Sequence, residues 1–176
     1  MKDNNKANKL TNVLFIIYLI ALFWIIVFKF NLPFSHMGTM RSINLIPFSE
    51  SLILNGKLAF SELIMNVVIF VPLGIYVGVI FKRWTILKKL FLPFLISLVC
   101  EVLQFIFGIG ASDITDIITN TLGGIIGLII YKGLEKVFKN SIKTQKFINT
   151  IAIIGTLLMI LLLLLLRINN LWIFRM

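Results

Sequence analysis

The hydrophobic positions of this chain fall into long uninterrupted blocks, and its charged positions fall between those blocks. A helix needs about 20 apolar residues to cross a hydrocarbon core of roughly 30 Å. Five blocks reach this length. The pattern therefore predicts five membrane-spanning helices, at about 10–30, 60–81, 90–107, 113–131 and 147–166.

Composition supports an integral membrane protein and excludes an ordinary soluble domain. Of the 176 residues, 59% are hydrophobic and 14% are charged, and the mean hydropathy is +1.03. Soluble domains carry about 25% charged residues. We predict an all-α bundle with one main domain at 10–135, preceded by an N-terminal tail at 1–9 and followed by a basic linker and a lipid-facing helix at 136–176. The lone Cys100 implies no internal disulfide.

The formal net charge of +10 does not indicate nucleic-acid binding, because no basic stripe with interleaved aromatic residues is present. The positions of the Lys and Arg residues instead predict the orientation of the helices in the membrane. Twelve of the 17 Lys and Arg residues flank the predicted helices on one side, and five lie on the other. Loops rich in Lys and Arg stay in the cytoplasm. We therefore expect a cell-membrane protein with its N-terminus inside and its C-terminus outside.

Polar residues concentrate at the predicted outer ends of three helices. Glu101 and Gln104 are three residues apart near the end of the third helix, and Asp113 and Asp116 open the fourth. Asn120 and Asn66 lie on the fourth and second helices at a similar predicted depth. A carboxylate at membrane depth costs roughly 2.5 kcal/mol or more, so such residues face the bundle interior or a cavity and mark a candidate functional site.

Four sequence blocks resemble the VanZ-like family of bacterial membrane proteins. The blocks are Asn44 to Phe48, Asn66 to Gly74, Glu101 to Gln104 and Asp113 to Gly127, and together they cover roughly half of the chain. The family takes its name from a protein associated with teicoplanin resistance, so the resemblance implies the same broad role. Members often carry an arginine shortly before the first aspartate, where this chain has Gly108 to Ser112.

We predict that this region binds a lipid headgroup, a lipid-anchored glycopeptide or a lipid-linked wall precursor. The alternatives are a purely structural hydrogen-bond network and an enzyme in which Glu101, Asp113 or Asp116 is catalytic, with Glu101 or Asp116 as general base. The candidate binding residues are Asn44, Pro47, Phe48, Asn66, Glu101, Gln104, Asp113, Asp116 and Asn120.

The expected cofactor set is limited. No cofactor is predicted, although the carboxylates offer oxygen ligands for a divalent cation. The segment from Asn44 to Phe48 is either a lid that folds onto the bundle or a plain connecting loop, and the oligomeric state is open.

Overall fold

The computed structural model describes residues 2–28, 40–48 and 60–168. Five helices and two short strands lie in these ranges. In chain order they are α1 (Lys2–Phe28), β1 (Met40–Asn44), α2 (Phe60–Ile80), α3 (Ile86–Phe107), β2 (Ile109–Asp113), α4 (Ile114–Phe138) and α5 (Ser141–Ile168). All five helices are long and apolar enough to cross a membrane, so the predicted all-α, multi-pass bundle is confirmed.

Several helices extend beyond their predicted ends. Helix α1 already begins at Lys2, within the predicted tail. Only Lys139 and Asn140 separate α4 from α5, so the basic linker is largely helical. The prediction counted apolar residues, whereas Lys and Arg are good helix formers that continue a helix into the headgroup region.

Helices α2 and α4 form the tightest pair in the bundle because glycines let their backbones meet. A Cβ atom on Gly123 would overlap the carbonyl oxygen of Val67, and one on Gly127 would overlap that of Val71. Gly74 faces the backbone of α4 in the same way. These glycines form a small-residue packing face, and small residues are the usual basis of close helix contact in membranes.

The apolar core joins the first four helices. Leu22 of α1, Phe70 and Leu73 of α2, Cys100 of α3 and Leu128 of α4 are all buried in one cluster. These contacts hold the ends of α2, α3 and α4 at fixed positions, which is what sets the geometry of the polar residues there.

Strands β1 and β2 form a small parallel pair at the end of the bundle where α3 gives way to α4. Gly108 ends α3 with φ 62, a left-handed backbone conformation that glycine adopts at low cost, and the chain then enters β2. Asn44 lies opposite Asp113, and Arg41 lies opposite Gly110. The start of the segment from Asn44 to Phe48 thus lies against the bundle, and its role as a lid stays a prediction.

Helix α5 is lipid-facing only in its second half. Leu157, Leu158 and Leu162 are about three-fifths exposed, as predicted. The first half instead packs on α1, where the buried Gln145 donates to Thr11 Oγ1 at 2.8 Å. The leucine-rich sequence predicted the exposed half, but this interhelical hydrogen bond joins positions 134 apart in sequence.

Candidate functional site

Asp113 joins the strand pair to the start of α4. It is the N-cap of α4, and its Oδ1 accepts a hydrogen bond from the Thr115 backbone N–H at 2.7 Å. Its Oδ2 accepts from Asn44 Nδ2 at 3.2 Å. Aspartate is a preferred N-cap because it satisfies one of the free N–H groups at a helix start. Asp113 therefore has a clear structural role.

Glu101 of α3 contacts the same junction between β2 and α4. Its side chain is 1% exposed, and its Oε2 accepts from the Asp113 backbone N–H at 3.0 Å. The Ser112 hydroxyl lies 3.2 Å from the same oxygen. A buried carboxylate with such partners ties β2 to α3, and we refer to Glu101, Ser112, Asp113 and Asn44 as the junction network.

The turn after β1 contacts the junction network through its backbone. Asn44 Oδ1 accepts from the Ile46 N–H at 3.1 Å, which forms a local turn. The Phe48 N–H donates to Thr115 Oγ1 at 2.9 Å. The side chains of Pro47 and Phe48 are exposed. In this structure the turn thus meets α4 through the main chain of Phe48.

A separate cavity of about 240 Å³ lies between α1, α2, α3 and α4. Its polar lining includes Glu62, Asn66, Gln104 and Asp116, and we call it the carboxylate pocket. Asn66 Nδ2 donates to Asp116 Oδ1 at 2.7 Å, which links α2 to α4. Gln104 Nε2 donates to the Ile26 carbonyl at 2.9 Å.

Gln104 has a side-chain acceptor that no described residue uses. Its side chain is 2% exposed, and within the described ranges its Oε1 has no hydrogen-bond partner. Buried polar atoms are nearly always paired, so each exception calls for an explanation. Because Gln104 also lines the carboxylate pocket, a bound donor group is one explanation.

Asn120 stands apart from both groups. It is fully buried, and its Nδ2 donates to Ser97 Oγ at 3.0 Å, which joins α4 to α3. Asn120 is not among the described residues that line the carboxylate pocket. The polar residues predicted as one cluster thus divide into the junction network, the carboxylate pocket and this interhelical pair.

The pocket is rich in acceptors, which defines the chemistry it can bind. The Glu62 and Asp116 carboxylates favour ammonium, amide N–H or hydroxyl groups and disfavour a bare phosphate. Across residues 2–28, 40–48 and 60–168, no group of three or more His, Cys, Asp or Glu side chains is placed to hold a metal ion. The prediction of no cofactor, and the alternative of a divalent cation at the carboxylates, both stay untested.

Glu62 is the pocket residue that the sequence reasoning missed. It lies in the first turn of α2, four residues before Asn66, and so shares a helix face with it. The four-residue spacing of Glu62 and Asn66 is visible in the sequence and was enough to find it. Ser97 and Thr115 gave no such signal, because their contacts depend on which helices are neighbours.

These features define a class: a multi-pass helical membrane protein whose second, third and fourth helices bring polar side chains together at one end. The chain belongs to the VanZ/LLP1 family, whose model matches residues 15–139. It is 41% identical to Protein VanZ of Enterococcus faecium over 156 residues, which is 88% of this chain and 91% of that protein. No solved structure matches the chain.

Proposed function

We propose that this protein contributes to resistance against teicoplanin and related lipoglycopeptides by binding a lipid-anchored glycopeptide, or a lipid headgroup, in the carboxylate pocket. The resistance role is suggested by membership in a family named for a teicoplanin-resistance protein. The observation that carries the binding proposal is Gln104, a residue that lines the pocket and whose buried Oε1 lacks a partner within the described ranges.

The ligand class follows from the hydrogen-bonding groups of the pocket. Glu62 and Asp116 line the pocket with carboxylates, and Gln104 lines it as an amide residue. A glycopeptide offers amide N–H and sugar hydroxyl donors, and an amino-bearing headgroup offers an ammonium. A lipid-linked wall precursor with such donors meets the same requirement, whereas a phosphate alone does not.

The proposed access route is the outer leaflet. The Lys and Arg bias predicts that the start of α2, the end of α3 and the start of α4, which form the pocket end of the bundle, lie outside. An acyl chain that enters the outer leaflet would hold an attached glycopeptide at this depth, so a modest pocket affinity is enough for sequestration.

A sensitive Gram-positive host that expresses Asp116→Asn is expected to lose most of its protection. Its inhibitory concentration of teicoplanin should fall close to that of the same host with the empty vector. Losing a charged acceptor that a ligand uses costs about 1.5–3 kcal/mol, which is roughly tenfold or more in affinity. Asparagine keeps an oxygen for the contact with Asn66, so the fold is retained. The measurement is the growth-inhibitory concentration of teicoplanin, with vancomycin in parallel and membrane levels matched by blot.

Glu135→Gln is the matched control for this experiment. It neutralises a carboxylate on the same helix at the opposite end, where Glu135 accepts from the Tyr131 hydroxyl at 3.1 Å. The control should protect like the wild type. Full protection by Asp116→Asn would show that the pocket carboxylate is not part of the resistance site. If the wild-type protein does not raise the inhibitory concentration of teicoplanin, the proposed resistance role is wrong.

One contact keeps the enzymatic alternative open. Ser112 Oγ lies 3.2 Å from Glu101 Oε2, which is the spacing of a hydroxyl nucleophile and a carboxylate base. Against this reading, neither residue is among the described residues lining the carboxylate pocket, and Glu101 is almost fully buried. Binding in the pocket is therefore the better-supported function.

Ser112→Ala separates the two functions. We expect this variant to keep its protection against teicoplanin, with a stability loss of about 1 kcal/mol from the missing hydrogen bond. The readouts are the teicoplanin threshold and the unfolding temperature of the purified protein. Loss of protection in a normally folded Ser112→Ala protein would favour an enzyme with Ser112 as nucleophile.

A further inference from the structure

A second polar cavity lies at the opposite, lysine-rich end of the bundle. It encloses about 430 Å³ between the first turns of α1, the end of α2 with the following turn, and the start of α5. Asn12, Lys82, Arg83 and Gln145 are among its lining residues. The described residues that line it include no carboxylate, so its charge is positive, in contrast to the carboxylate pocket.

The amide wall of this cavity is fixed by buried hydrogen bonds. Gln145 is 3% exposed, and its Nε2 donates to Asn8 Oδ1 at 2.9 Å and to Thr11 Oγ1 at 2.8 Å. Thr11 is 1% exposed and lies 3.0 Å from Asn149 Oδ1. The network sets the spacing of α1 and α5, so the cavity between them has a defined shape.

The cations at the mouth retain donors for an anion. Lys82 Nζ donates to Ser141 Oγ, but an ammonium has three donors, so two remain. Arg83 adds a guanidinium, whose fork of donors matches a phosphate. The Trp84 ring is stacked on Phe81 with centroids 4.2 Å apart, at the place where an aromatic ring marks the membrane interface.

An apolar groove lies deeper in the bundle, between α1, α2, α5 and α4. It encloses about 500 Å³, and its lining includes Tyr18 of α1, Ile75 of α2 and Ile148 of α5. Ile148 is three residues past Gln145, about 4.5 Å further along the helix. Cationic and amide groups at the membrane surface, followed by an apolar groove at membrane depth, reproduce the layout of a phospholipid.

We propose that the lysine-rich cavity binds the headgroup phosphate of an anionic phospholipid, with an acyl chain in the apolar groove. Lys82 and Arg83 neutralise the phosphate, and basic pockets between membrane helices are known sites for such headgroups. The site is independent of the proposed resistance site, since it lies at the other end of the bundle and uses the opposite charge. Its occupant holds α1, α2 and α5 together.

Native mass spectrometry of the full chain in detergent tests the proposal. The probes are phosphatidylglycerol and phosphatidylcholine of matched acyl chains, and inorganic phosphate and glycerol phosphate as soluble anions. We expect selective binding of phosphatidylglycerol, weakened about tenfold or more in Lys82→Gln/Arg83→Gln. Lys132→Gln/Lys136→Gln is the control, because it removes two exposed charges from the same end of the bundle outside the cavity.

Each other outcome overturns a named part of the proposal. Equal affinity for the two lipids would show that the site does not select an anionic headgroup. An equal loss of affinity in both double variants would show that general surface charge, rather than this cavity, binds the lipid. Binding of the soluble anions as tight as that of phosphatidylglycerol would assign the cavity to a free phosphate. Arg83→Gln alone keeps the contact between Lys82 and Ser141, and it carries the test if the double variant misfolds.

Discussion

Gly127→Ala is expected to destabilise the folded bundle by about 2–3 kcal/mol, the upper range for overpacking a tight core. The added methyl group would overlap the carbonyl oxygen of Val71 and press on the backbone of Gly74. Backbone atoms cannot move aside as a flexible side chain can, so α2 and α4 must separate. The carboxylate pocket, which both helices line, would distort with them.

The measurement is the unfolding temperature of the purified protein in detergent, which should fall by about 5–10 °C. Gly133→Ala is the control on the same helix, since a Cβ atom there meets nothing within 4 Å. It should be neutral or slightly stabilising, because alanine favours a helix over glycine. Equal behaviour of the two variants would mean that α2 and α4 do not pack as closely as described.

Glu101→Ala is expected to cost about 3 kcal/mol, because it leaves two part-buried donors of the junction network without their carboxyl acceptor. The Asp113 N–H and the Ser112 hydroxyl both lose Glu101 Oε2. Asp113 is the N-cap of α4, so the loss reaches the start of that helix. We expect low membrane levels and a reduced unfolding temperature.

Glu62→Ala is the matched substitution for this test. Glu62 is exposed and lines the carboxylate pocket, whereas Glu101 is buried in the junction network. The Glu62 variant should change stability far less than Glu101→Ala. If the Glu101 variant folds with wild-type stability, the junction network does not hold α3, β2 and α4 together, and Glu101 becomes a candidate for chemistry instead.

The carboxylates of this protein thus have different expected roles although they are close in sequence. Asp113 and Glu101 organise the strand pair and the helix start, whereas Asp116 faces Asn66 beside a cavity. A double substitution of Asp113 and Asp116 would mix misfolding with loss of binding. Single substitutions with stability measured alongside keep the two effects apart.

The sequence by itself determined the number and type of the main elements. In a membrane each backbone polar group must be satisfied within the protein, so an apolar stretch of about 20 residues has to be a helix wherever its neighbours lie. The same local reasoning predicted the polar ends of α2, α3 and α4. It also fixed the expected orientation, since that depends only on where Lys and Arg fall along the chain.

The pairing of the polar residues was decided only by the tertiary structure. The spacing of Asp113 and Asp116 places both on one helix face, yet Asp113 meets Asn44 of β1 and Asp116 meets Asn66 of α2. These partners are 69 and 50 residues away in sequence. Contacts of that range depend on which helices pack together, and that choice rests on the glycine faces of α2 and α4 and on the turn at Gly108.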